Sequence, residues 1–275
     1  MTNYFDSLGR QLVAGLLCAV CLSTTAQTEL QERNKLRIMT YNVHNGVGTD
    51  GKTDYRRLAN VIARDGADVV AVQEVDSATR RSGGRYVLGE IAREALMHDT
   101  FGAAIDYDGG RYGIGLLSRE RPLSVHRVAL PGREESRTLL VAEFDRYVVG
   151  CLHLSLTAQD RMASLPLLRK EAGRHTKPFI LTGDWNDTIG SAFMKELQKD
   201  FRLMNNGKNA TFPAGKPKEC LDFIALDKPT GSEVVGRSSL VVSEKTASDH
   251  RPVSAVLQFK TPAEELIYHE PYLQN

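Results

Sequence analysis

Five stretches of the chain carry apolar residues straight into polar groups that can do chemistry. Val69-Val70-Ala71-Val72 runs into Gln73 and Glu74, and Phe179-Ile180-Leu181-Thr182 runs into Gly183-Asp184-Trp185-Asn186. Val148-Val149-Gly150-Cys151-Leu152 ends on His153, Leu221-Asp222-Phe223-Ile224 holds an aspartate inside an apolar run, and Ser248-Asp249-His250 leads into a strand beginning near Val253. One carboxylate after a strand is ordinarily a turn or cap residue. Five such places in one chain, all offering oxygen or imidazole donors, point to a common rim at the ends of rigid elements. Glu74, Asp184 and Asp249, with the amides of Asn42 and Asn186, are hard oxygen donors that suit Mg²⁺, Mn²⁺ or Ca²⁺. Zn²⁺ would call for closely spaced His and Cys; there is no H-E-x-x-H, and Cys151 and Cys220 are too far apart for a C-x-x-C. His153 and His250, with Asp222 to orient one of them, fit acid–base work or charge stabilisation near an oxyanion. A hard cation beside imidazole and amide donors points to a phosphate ester, whose phosphoryl charge such a set offsets.

The elements that must position these groups are short and alternate in type. Leu36–Val43 reads as a strand that ends in Asn45-Gly46-Val47-Gly48, and Asp68–Gln73 as a buried strand. Tyr55–Asp65 carries Leu58, Val61 and Ile62 at helical spacing after Asp54, a suitable N-cap. Val87–Leu96, Arg161–Gly173 and Phe193–Leu197 read as helices. Gly113–Ser118, Thr138–Phe144, Tyr147–Leu152, Phe179–Thr182, Leu221–Leu226 and Val253–Phe259 read as strands. Strands outnumber helices and many connections have hairpin length, so the fold class is α/β (α+β): a packed β-sandwich with helices outside rather than a doubly wound parallel sheet. No G-x-G-x-x-G or P-loop follows the first strand, which removes the main support for a nucleotide-cofactor fold.

Composition narrows the class. With 275 residues, 41% hydrophobic and 25% charged, the chain is neither disordered nor fibrous, and it can bury a full core. The net charge of +1 lacks the basic excess of a general nucleic-acid binder, though it leaves room for an enzyme that meets nucleic acid at one site. Arg10 precedes the apolar run Leu12–Leu22, and Thr24 and Ala26 follow it. That run is too short for a ~30 Å bilayer core, so residues 1–26 read as a secretory signal cut after Ala26. Lipid anchoring at Cys21 is disfavoured by Val20 before it. Residues 27–275 form one domain on this reading, exported to a periplasmic or extracellular space, with no transmembrane span and no stable protein partner, as a monomer. Cys151 and Cys220 would remain, either as a disulfide or as two buried free thiols.

The order of the motifs resembles the endonuclease/exonuclease/phosphatase superfamily, the deoxyribonuclease-I-like fold. The pieces are Met39-Thr40-Tyr41-Asn42, Gln73-Glu74-Val75, Tyr112-Gly113-Ile114-Gly115-Leu116-Leu117-Ser118-Arg119, Glu135-Ser136-Arg137, His153-Leu154, Gly183-Asp184-Trp185-Asn186, Leu221-Asp222-Phe223-Ile224 and Ser248-Asp249-His250, spread over about residues 36–259. The resemblance implies a four-layer α/β sandwich, two packed mixed β-sheets flanked by helices, with the site at one end. It implies Glu74 as principal ligand of Mg²⁺ (or Mn²⁺ or Ca²⁺), helped by Asn42 and Asp249. Asp184 would align or deprotonate the attacking water, and Asn186 would hold a non-bridging oxygen. His250, oriented by Asp222, would act as base or stabilise the transition state, and His153 would contact the phosphate or the leaving oxygen. Arg137 would anchor phosphate or brace the site, while His44 is either a substrate contact or a plain loop histidine.

The implied substrate is a phosphate ester: nucleic acid, a lipid head group or a sugar phosphate, with a diester favoured over a monoester. Glu219-Cys220-Leu221-Asp222 departs from the pattern of inositol-phosphate 5-phosphatases, and Val43-His44-Asn45-Gly46 from that of abasic-site endonucleases. A non-catalytic binding module on the same fold is the rival reading; the intact set Glu74, Asp184, Asn186, Asp249 and His250 argues against it. Several other residues read as structural: Trp185 as packing, Asp187 as a cap for the following helix, and His98, His126, His175 and His269 as surface residues. The basic clusters Arg56-Arg57 and Arg80-Arg81 with Arg85 read as solvated faces, the latter in a loop near enough to Glu74 to approach substrate.

Overall fold

The computed structural model describes residues 34–260; residues 1–26, expected to be a secretory signal, and Cys18, Cys21 and His269 lie outside the described residues. A compact unit spans Leu36–Leu257. Strands are β1 (Lys35–Asn42), β2 (Val69–Ser77), β3 (His98–Tyr107), β4 (Gly110–Ser118), β5 (Ser124–Leu130), β6 (Arg137–Glu143), β7 (Val148–His153), β8 (Phe179–Asp184), β9 (Phe201–Leu203), β10 (Asp222–Asp227), β11 (Val234–Val241) and β12 (Val253–Phe259). Helices are α1 (Tyr55–Asp65), α2 (Val87–Ala95), α3 (Ala158–Ala172) and α4 (Ala192–Leu197). The strands form two six-stranded mixed sheets, ordered β11-β12-β1-β2-β4-β3 and β5-β6-β7-β8-β10-β9. Among the described residues no helix is long and apolar enough to cross a membrane.

Each sheet is built around a βαβ unit. β1 and β2 pair in parallel through α1, and β7 and β8 pair in parallel through α3. Such a crossover places a helix on one face of its sheet, and both helices cover outer faces here. Leu58 and Ile62 of α1 and Leu88 and Ile91 of α2 pack on Met39, Tyr41, Val70 and Val72. Leu165 and Leu168 of α3 and Phe193 and Leu197 of α4 pack on Leu139, Val141, Leu152, Leu181 and Phe223, with fully buried Trp185 in the same core. This is the expected four-layer order. Asp54 does cap α1, accepting from the Arg57 N–H at 2.9 Å, whereas α4 is capped by Ser191 and not by Asp187.

Alternation along the strands then aims the chemistry. Residues whose neighbours feed the outer cores turn inward, toward the opposite sheet. Thr40, Gln73, Cys151 and Asp184 share that inner layer: Thr40 donates to Gln73 Oε1 at 3.2 Å, and Gln73 Nε2 donates to Cys151 Sγ at 3.6 Å across the two sheets. Cys151 and Cys220 are both free and buried, so the two-thiol reading holds; burial, the largest cause, pushes each thiol up to about 12.

Gly183 lets β7 and β8 approach just before the chemistry begins. It pairs with Leu152, and a Cβ there would overlap the Leu152 carbonyl oxygen. Gly190, by contrast, has open space around it. Gly183→Ala is therefore expected to lose about 3 kcal/mol of stability in urea unfolding, the upper end for overpacking, while Gly190→Ala stays near wild type.

Candidate active site

The inner row at the ends of the second sheet is set by strand register. His153 stands opposite Asp184, and Asp184 opposite Asp222, so three neighbouring strands deliver imidazole, carboxylate and carboxylate in one line. His250 completes the row from the loop before β12: its Nδ1 lies 2.8 Å from Asp222 Oδ2 and its Nε2 3.6 Å from Asp184 Oδ2. His153 Nε2 approaches the same Asp184 oxygen at 3.6 Å. Phe212 packs on the His250 ring, with centroids 4.7 Å apart. Ser248 anchors this loop to the other sheet, its hydroxyl donating to the Asn42 carbonyl at 2.7 Å.

From the first sheet come Asn42 and Glu74. Asn42 is fully buried; its Nδ2 donates to Glu74 Oε1 at 2.8 Å and to Asp184 Oδ2 at 3.1 Å, so one amide spans the two sheets. Its Oδ1 accepts the His44 N–H at 3.1 Å. Glu74 sits in a bulge where β2 slips past β4 between Gln73 and Val75, with a left-handed φ of 59°. Bulges re-aim side chains at functional rims, and a non-glycine residue at positive φ marks a backbone held there by its surroundings. Asp184 is held on both oxygens, since Oδ1 accepts the Asn186 N–H at 2.9 Å. Asn186, itself at φ 47°, ties its Nδ2 to the Leu154 carbonyl at 2.8 Å.

Electrostatics divides the imidazoles. Burial works against charge on His250, but Asp222, then Asp184 and Asp249, outweigh it and raise the ring to about 10. Burial lowers His153 to about 4, with Arg137 and His250 adding to the effect against Asp184. His250 is thus an imidazolium and His153 neutral at pH 7. Burial raises the Glu74 carboxyl, and Asp249 and Asp184 raise it further against the Asn42 hydrogen bond and the nearby His44.

This donor set fits a hard divalent cation. Carboxylates gather faster than cations to offset them, and Asp222 Oδ1 is buried without a hydrogen-bond partner. Asp184, Asp222 and His250 bring possible ligand atoms within 4.8 Å of one another. Asp222 Oδ2 and His250 Nδ1 already hold each other, however, and an imidazolium does not ligate metal. Glu74, with Asp249 close enough to raise it, is the better place for a cation.

Arg137 is 6% exposed and its guanidinium is engaged by Glu135 at 2.8 Å and Glu134 at 3.3 Å, a bracing geometry that still leaves Nε buried and unpartnered. His44 Nδ1 lies 3.3 Å from the Val47 carbonyl oxygen. Asp187 binds Arg161 at 2.9 Å, which also holds the Ser155 and Leu156 carbonyls. His126 and His175 are not isolated: both meet buried Glu171, at 2.7 and 3.1 Å, near the end of α3 remote from the rim. Sequence reasoning gave no role to Tyr112. It pairs with Asp76 across β2 and β4, and burial, then the charges of Glu74 and Glu135, push its hydroxyl up, which places it beside the acidic rim. An aromatic residue opening the Gly113-Ile114-Gly115 strand was the available signal.

The His250 charge is open to direct test. Asp222→Asn removes the main support, leaves only Asp184 and Asp249 against burial, and is expected to bring the imidazole from about 10 down toward its ordinary value near 6.5. Imidazole ¹⁵N chemical shifts followed against pH report both states; an unchanged titration would refute the assignment.

Comparison with known proteins agrees with this geometry. The model of the Endonuclease/Exonuclease/phosphatase family matches residues 39–250. No curated protein matches the chain at a significant level. Among solved structures, an endonuclease/exonuclease/phosphatase from Beutenbergia cavernae DSM 12333 aligns with TM-score 0.68 at 21% identity, over 84% of this chain and 73% of that one. A mannosyl-6-phosphatase from Bacteroides thetaiotaomicron VPI-5482 aligns with TM-score 0.65 at 16% identity, over 82% and 100%. Truncated Caenorhabditis elegans TDP2 aligns with TM-score 0.62 at 15% identity, over 82% and 98%. At these identities the structures speak for the fold, while the family model, whose span covers most of the chain and includes every candidate site residue, shows that this chain belongs to the endonuclease/exonuclease/phosphatase family.

Proposed function

We propose that the chain is an exported, Mg²⁺-dependent hydrolase of phosphoric esters, with a diester as preferred substrate. The observation that carries this reading is the single buried amide of Asn42 joining Glu74 of one sheet to Asp184 of the other, within one row that also holds His153, Asp222 and His250. A cation held by Glu74 and Asp249 would supply charge neutralisation at a phosphoryl oxygen. The protein's own groups divide the remaining work. Asp184, held on both oxygens, aligns a water and accepts its proton, a role supported by those two hydrogen bonds. His250, charged and locked by Asp222, donates toward the phosphoryl oxygens and stabilises charge as it develops. Neutral His153 stands on the other side of Asp184, where it can contact the phosphate or the leaving oxygen. Asn186 holds a non-bridging oxygen, with His44 at the rim.

A monoester of a sugar is the second reading, favoured by the structural likeness to a mannosyl-6-phosphatase. Nucleic acid and phosphorylated lipid head groups complete the candidates. Export rests on the apolar run Leu12–Leu22 and its small-residue end.

Hydrolysis of bis-p-nitrophenyl phosphate in Mg²⁺ is expected, falling by about 10³-fold or more in Glu74→Ala and in Asp184→Ala. Unchanged rates in both variants would remove the site from consideration. Adding chelator should abolish turnover reversibly. A panel of plasmid DNA, RNA, phospholipids and sugar phosphates then separates diester from monoester: release of inorganic phosphate from sugar phosphates alone would favour the second reading.

A further inference from the structure

Arg81 belongs to a basic cluster, and although its side chain is 38% exposed, its guanidinium is tied down on several sides. Its Nε and Nη2 take both oxygens of Asp76 at 2.7 and 2.8 Å, and Asp76 is fully buried on β2 two residues beyond Glu74. The same Nη2 donates to Asn45 Oδ1 at 2.6 Å. The guanidinium also lies over the rings of Tyr107 and Tyr112, 4.6 and 5.3 Å from their centroids. One side chain therefore joins the strand bearing Glu74, the turn after β1 and an aromatic pair from β3 and β4.

The turn needs such a hold. His44 and Asn45 both adopt left-handed backbone, with φ of 46° and 54°, which costs about 1–2 kcal/mol for each L-residue. Its outcome matters at the site, because the His44 N–H donates to Asn42 Oδ1 and so turns the other end of that amide toward Glu74 and Asp184. The path from Arg81 to the acidic rim is thus continuous: guanidinium, Asn45 side chain, strained turn, His44 N–H, Asn42 amide.

We propose that Arg81 is a positioning residue for the active site, holding Asn45 so that the His44 amide fixes the orientation of Asn42 between the two carboxylates. Lysine cannot replace it, since a point charge lacks the planar fork that grips Asp76 and Asn45 together while stacking on tyrosine. The catalytic consequence rests on the hydrolase reading; the structural relay does not.

Asn45→Gly is the decisive variant, because glycine takes positive φ without steric cost while losing the acceptor. In the full chain, without substrate, we expect its melting temperature to hold while hydrogen exchange of the His44 amide rises at least tenfold. With bis-p-nitrophenyl phosphate, kcat should fall about tenfold with KM little changed, as for a displaced catalytic group. Asn45→Asp keeps an acceptor for Nη2 and should stay near wild type in both measurements. Arg81→Lys should match Asn45→Gly in exchange, with some added loss of stability from Asp76. Unchanged exchange at His44 in Asn45→Gly and Arg81→Lys overturns the proposal, as does faster exchange with unchanged kcat. Failure of the hydrolase reading would appear separately, as an inactive wild type, and the exchange measurement would still decide the relay.

Discussion

Repulsion among carboxylates is the constraint around which the rim is organised. Glu74, Asp184, Asp222 and Asp249 act on one another or on His250 through space that is largely shielded from water. Two unit charges about 6 Å apart at an effective dielectric near 20 repel by about 3 kcal/mol. Folding must meet that cost before any cation arrives. The chain does so with donors that cannot leave: the Asn42 amide shared between Glu74 and Asp184, the Asn186 N–H on Asp184, and an imidazolium fastened to Asp222. What is left uncompensated, chiefly around Glu74, is the part a cation can use.

The architecture delivers these donors by a simple rule. Both sheets are centred on a parallel pair; the carboxyl ends of β1, β7 and β8 carry Asn42, His153 and Asp184, and the bulge in β2 carries Glu74. Because the helices of each unit lie on the outer faces, the last inward residue of every strand faces the other sheet. A one-residue slip in the β7–β8 register would send His153 or Asp184 into the helix-covered core, where Leu152 and Leu181 now sit. The close pass at Gly183 and the buried hydrophobic packing on both sides therefore do more than stabilise; they hold the chemistry on the correct face.

This explains which parts were legible in the sequence. The eight interior strands were all visible, because strands covered on both sides need apolar runs that stop at a polar end. The four that escaped notice are β3, β5, β9 and β11, the four sheet edges. β5 and β11 are mostly exposed, and β3 interrupts its apolar residues with Gly102 and acidic ends, so the apolar signal is diluted there. Glu74, His153 and Asp184 stood out by the same logic, each following an apolar run, and Asp222 by interrupting one. Arg81 and Asn45 did not, since their meaning lies in a contact across 36 positions that no local pattern encodes. His126 and His175 escaped for the same reason, being joined through Glu171 and through their stacked rings. The bulge at Glu74 was equally hidden. It lengthens β2 beyond the apolar run to Ser77 and brings Asp76 under Arg81.

The two histidines show how register becomes reactivity. His153 and His250 approach the same Asp184 oxygen at equal distance, 3.6 Å, so proximity to that carboxylate does not distinguish them. The difference lies behind each ring. His250 has Asp222 at 2.8 Å on its other nitrogen, while His153 has Arg137 among its nearby charges. Burial, seconded by the Arg137 guanidinium, keeps His153 neutral, while the Asp222 carboxylate behind the other ring overcomes burial and charges His250. The rim thus holds a charged donor and a neutral imidazole on either flank of one oriented carboxylate, a division of roles that requires no movement of the backbone. That asymmetry follows from β10 standing beside β8 and carrying Asp222, and from Arg137 opening β6 beside β7. Strand order, more than the identity of either histidine, decides which one carries the proton.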